Sequence, residues 1–169
     1  MVGLTGALAD QGAAAAEPSP QLLAALGNER MRVLGQIVGL LTRSQPHQSM
    51  TIADIKRGLI APIMLGQYVL AGRPSEEGAG SPPVAVLIWA RVSDAVDQRL
   101  AAAQSAKIEL ASGEWRSGDI VWLTDAAGDL RLVPQMVTRL RATDPTIRAI
   151  RVASPAGDGK IAVRTLDPQ

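Results

Sequence analysis

Residues 84–92 read Val-Ala-Val-Leu-Ile-Trp-Ala-Arg-Val, an apolar run broken only by Arg91. A strand with one wet face alternates apolar and polar residues, so one that is apolar at successive positions is buried on both faces. The chain must therefore cover a sheet from above and below. Its 169 residues suffice for one domain that buries roughly 68–70% of its unfolded surface. With three Trp, one Tyr and no Phe, the core must be built from aliphatic side chains, and each aromatic is conspicuous.

The flanking patterns say what covers the sheet. Residues 1–20 are rich in Gly and Ala, lack a basic leader and read as a flexible N-terminal extension, leaving 21–169 as a single domain. A short helix is expected over 21–26, broken at Gly27-Asn28, with Asn28 capping a second helix. In that second helix Met31, Leu34, Ile37, Val38 and Leu41 share one face. Thr51 and Asp54 approximate a capping box before the stripe Ile52, Ile55, Leu59 and Ile63; Pro62 should kink or end this helix, and Gly66 should stop it.

Further on, the pattern predicts a strand over 67–71, a long loop over 72–82, and a helix over 94–106. A strand over 120–124 should end at Asp125, followed by a turn over 126–129 and a helix that Pro134 opens, with Val133, Val137 and Leu140 on one face. Strands over 147–153 and 161–166, joined by a turn, close the chain. Helices first, then mixed strands and helices, define an α+β fold: a mostly antiparallel mixed sheet flanked by helices.

Composition removes several function classes. Without Cys there is no disulfide, thiolate zinc site or cysteine nucleophile, and one His cannot build a histidine-rich metal site. The glycine-containing segments 78–80 and 157–160 lack Walker or dinucleotide spacing, so no cofactor and no metal are expected. A net charge of +1 argues against nucleic acid as partner, although residues 131–169 carry a net +4 against −3 for the rest. Apolar runs fall well short of the ~20 residues of a membrane span, and a cytoplasmic protein is the expectation.

His47, in Ser44-Gln45-Pro46-His47, is the sole group that titrates near neutrality without perturbation. A carboxylate on one of its nitrogens would fix the tautomer while the other nitrogen takes a proton. Asp125, at the end of an apolar strand, is the candidate. Both residues also have ordinary readings, His47 as a loop residue and Asp125 as a turn former, and the sequence is silent on whether they meet.

The ordered set of motifs resembles the toxin-activating lysine acyltransferases, which modify RTX protoxins. It comprises Leu34-Gly35, Ser44-Gln45-Pro46-His47, Ala61-Pro62-Ile63, Gln67-Tyr68, Pro83-Val84-Ala85 with Trp89-Ala90, and Trp115-x-Ser117-Gly118-Asp119. Trp122-x-x-Asp125 and Arg148-Ala149-Ile150-Arg151-Val152 complete it. The resemblance implies an acetyltransferase-like fold, catalytic residues His47 and Asp125, and Ser44 at the position of the family's active-site serine. It also implies transfer of a fatty-acyl group from acyl carrier protein to internal lysines of an RTX-type protoxin, with no cofactor, by a homodimer. An acidic carrier would suit the basic C-terminal third, with Arg139, Arg141, Arg148 and Arg151 as candidate contacts.

Three positions depart from the family pattern. Pro46 sits one place later than usual, Gly58 replaces a frequent Asn, and the segment after Asp125 is short. The second reading is therefore a catalytically silent acyl- or carrier-binding module on the same fold. A coenzyme A-dependent small-molecule acyltransferase ranks below both, because the glycine-rich pyrophosphate loop is missing.

Overall fold

The computed structural model describes residues 19–72, 82–103, 105, 107–156 and 160–166. Residues 1–18 of the expected extension, and most of the expected loop over 72–82, lie outside these.

Five strands, β1 (Tyr68–Gly72), β2 (Pro83–Val92), β3 (Ile120–Gly128), β4 (Ile150–Pro155) and β5 (Ile161–Leu166), lie in the order β1-β2-β3-β4-β5. All neighbours are antiparallel except β3 and β4, which run parallel, so the sheet is mixed and mostly antiparallel as expected. β2, the apolar run, is the strand buried on both sides. Val86, Ile88, Ala90 and Val92 face one core; Ala85, Leu87 and Trp89 face the other. The first core is covered by α1 (Pro20–Leu41), α3 (Ala61–Leu65) and α4 (Asp94–Ala102), and the second by α5 (Val133–Thr143).

Several local expectations change. The first helix runs unbroken from Pro20 to Leu41, so Gly27 does not break it and Asn28 is not a cap. An interior glycine costs a helix only about 1 kcal/mol, and the Glu29–Arg32 ion pair one turn on supports continuation. The capping box of Thr51 and Asp54 forms, opening α2 (Ile52–Ile55). Between α2 and α3 lies a π-helical stretch, Lys56–Ile60. Pro62 has no N–H to donate and its ring would meet the carbonyl four residues back, so the widened turn absorbs the proline where a kink or a helix end was expected. Gly66 ends α3 at φ 72° as expected.

α4 stops at Ala102, short of residue 106. β4 begins at Ile150, because the N–H of Ile147 closes a turn on the carbonyl of Asp144. No helix among the described residues is long and apolar enough to cross a membrane.

The conspicuous aromatics are structural. Trp122 is fully buried and donates its Nε1–H to Asp97 Oδ1 at 2.8 Å, with Arg151 Nε 3.1 Å from the same oxygen. Trp115 is also buried, and the residues after it lock onto the end of β2. The N–H of Ser93 donates to Ser117 Oγ, and a Cβ on Gly118 would lie 2.6 Å from Ser93 Cα. Only glycine lets these backbones approach so closely.

Candidate active site

α1 delivers the chain to a single 3-10 turn, Gln45–His47, with Pro46 in its first positions and Ser44 as N-cap. In that geometry residues three apart eclipse. Ser44 and His47 therefore stack on one side, and the Ser44 hydroxyl, unused as a helix cap, lies 2.9 Å from His47 Nδ1.

The opposite ring nitrogen meets Asp125. His47 Nε2 is 2.9 Å from Asp125 Oδ1 and 3.2 Å from Oδ2. The expected strand end at Thr124 is wrong, and the error matters. β3 continues to Gly128 through a bulge: Trp89 pairs with Leu123 and Ile88 with Asp125, leaving Thr124 as the extra residue. In uninterrupted register Asp125 would share the face of Leu87, on the α5 side. The bulge gives it the face of Ile88, where α1 packs and His47 waits. The expected turn over 126–129 is thus mostly strand, and the N–H of Ala126 donates to Asp125 Oδ1 at 2.8 Å, holding the carboxylate.

The electrostatics follow. A carboxylate facing Nε2 accepts only, so that nitrogen carries the ring proton and Nδ1 bears the lone pair, accepting from the Ser44 hydroxyl. The Asp125 hydrogen bond raises the His47 pKa above its ordinary value; partial burial opposes this and the carboxylate's charge adds to it. The His47 side chain is 12% exposed and that of Asp125 34%, so water reaches the carboxylate edge. No cluster among the described residues has the ligands to hold a metal ion.

The pair stands beside an opening in the sheet. β3 and β4 pair only at Val121, Trp122 and Leu123 with Ile150, Arg151 and Val152. Beyond these rungs both strands run on unpaired with each other, a gap that starts one residue before Asp125.

Gly58, where an Asn was expected, lies in the π-helical stretch with nothing within 4 Å of a would-be Cβ. Of the candidate carrier contacts, Arg151 is tied to Asp97, and Arg141 donates to the carbonyls of Arg148 and Leu166. Arg139 and Arg148 remain exposed. Sequence reasoning had no signal for the Thr124 bulge or the Ala126 N–H.

A helix-flanked mixed sheet with two parallel strands parting beside an imidazole–carboxylate pair defines an acetyltransferase-like α+β domain. The sequence pattern of the RTX toxin acyltransferase family matches residues 27–166. A protein-lysine myristoyltransferase, RtxC, of Kingella kingae is 30% identical over 138 residues, which cover 79% of this chain and 76% of that protein. The chain belongs to the RTX toxin acyltransferase family.

Proposed function

We propose that this protein transfers a fatty-acyl group from the thioester of an acyl carrier protein to lysine ε-amines of an RTX-type protoxin, with His47 as general base. The observation that carries the reading is His47 held between Ser44 and Asp125 in a chain of this family.

A lysine ammonium must lose a proton before its nitrogen can attack. His47 Nδ1 takes that proton while Asp125, on Nε2, steadies the resulting imidazolium. The amine adds to the thioester carbonyl, the C–S bond breaks, the imidazolium returns its proton to the departing thiolate, and the surplus proton on the newly acylated nitrogen passes to water. Ser44 donates to Nδ1 in the resting site and orients the amine as it arrives. The thioester is already activated, so no metal or cofactor enters this chemistry. A homodimer acting in the cytoplasm, with an acidic carrier approaching Arg148, completes the reading that the family resemblance implies.

The test is acyl transfer from purified acyl carrier protein thioester to a cognate protoxin, scored by mass spectrometry. His47→Ala should lower the rate by about 10²–10⁴-fold with an unchanged circular dichroism spectrum. Full activity in that variant removes His47 from the mechanism. Carrier binding without turnover by the wild type favours the silent binding module instead, a reading that Gly58 in place of the family's Asn supports.

A further inference from the structure

A cavity lined in part by β1 lies away from His47. It measures about 520 Å³ and sits beneath edge strand β1 on the α5 side, walled by Trp89, Leu140, Arg139, Arg116 and residues 65–70. Four successive residues, Gln67 to Leu70, line it. Alternate side chains of a strand point to opposite faces; Tyr68 and Leu70 pack on one core and Val69 on the other. What the cavity meets along β1 is therefore the backbone edge.

That edge is open. The N–H of Trp89 donates to the carbonyl of Gln67. By antiparallel alternation Gln67, Val69 and Ala71 direct their backbone groups toward β2, while those of Tyr68 and Leu70 point outward. Among the described residues no backbone group pairs with them there.

Charge adds an independent observation. The guanidinium groups of Arg116 and Arg139 have no partner among the described residues, whereas Arg91 is engaged by Asp144, the carboxylate on this wall. Gln67 is 3% exposed and Trp89 9%, yet Gln67 Oε1 and Trp89 Nε1 lack hydrogen-bond partners.

We propose that this groove takes an extended, acidic segment of a protein partner, added to the sheet as a strand beside β1. Its backbone pairs with Tyr68 and Leu70, and carboxylates meet Arg116 and Arg139. That the partner is the protein being acylated rests on the function proposed above; binding of the peptide itself does not.

The experiment is fluorescence anisotropy with a labelled nonapeptide of alternating Glu and Val against the full chain. Saturable binding is expected, weakened at least tenfold by the double substitution Arg116→Glu, Arg139→Glu in a protein with unchanged circular dichroism. The same peptide N-methylated at alternate residues keeps its charge but cannot form a strand ladder, and should lose binding. Equal binding of the N-methylated peptide, equal binding of an alternating Lys–Val peptide, or no binding at all overturns the proposal. Failure of acyl transfer alongside peptide binding overturns the proposed function and leaves the groove standing.

Discussion

An imidazole with a hydroxyl on one nitrogen and a carboxylate on the other is biased toward taking a proton, and the bias has a sign. Asp125 raises the His47 pKa, so the base is neutral only above its ordinary range and the rate should climb with pH through an inflection above 6.5. Asp125→Asn removes that support. Its maximal rate should fall on the order of 10²-fold while the inflection moves to lower pH, as a pH–rate profile of acyl transfer would show. Ser44→Ala, which removes one hydrogen bond and leaves Nδ1 open, should cost about tenfold in rate with the inflection little changed. His47 and Ser44 were legible in the sequence because they sit in one short turn. Their meeting with Asp125 was not, since it depends on strand register.

At the scale of elements, packing of the conspicuous aromatics explains why they are present. Asp97, on α4, accepts from buried Trp122 of β3 and forms an ion pair with Arg151 of β4, tying three elements together. Asp97→Ala leaves the indole N–H without a partner in the core and should destabilise the protein by about 2 kcal/mol, measured as a lower urea midpoint. Helix stripes and the doubly buried β2 could be read directly, because apolar spacing reports which faces are covered. The continuity of α1 through Gly27 could not, because one glycine's penalty is smaller than what the neighbouring turns gain. Nor could the π-helical turn before Pro62: the proline announces a disturbance without saying whether the helix bends, ends or widens. β3 was misjudged for a related reason. Ala126 and Ala127 look like turn residues, yet they pair with Leu87 and Val86 and extend the strand.

For the whole molecule, the contact between His47 and Asp125 joins the loop after α1 to the centre of the sheet, so its protonation couples to folding. A group whose folded pKa is raised adds stability that is complete below its unfolded value, near 6.5, and is lost as pH rises through the folded value. Wild-type protein should therefore exceed Asp125→Asn in urea-measured stability at pH 5.5 by more than it does at pH 8.5. A gap that widens at alkaline pH would reverse the assigned shift. The overall architecture was readable early because a strand hidden on both sides leaves few ways to arrange its cover. The open edge of β1 was not, since unpaired backbone leaves no mark on side-chain pattern.

The extra residue in β3 makes the position of the carboxylate a question of parity. If Thr124 alone is deleted, the count from Trp122 to Asp125 turns from odd to even, and a strand freed of its bulge still presents the acid on the face of Trp122 and Ile88. Straightening the bulge with all its residues kept would instead turn the acid to the face of Leu87, so the site depends on the match between residue count and bulge.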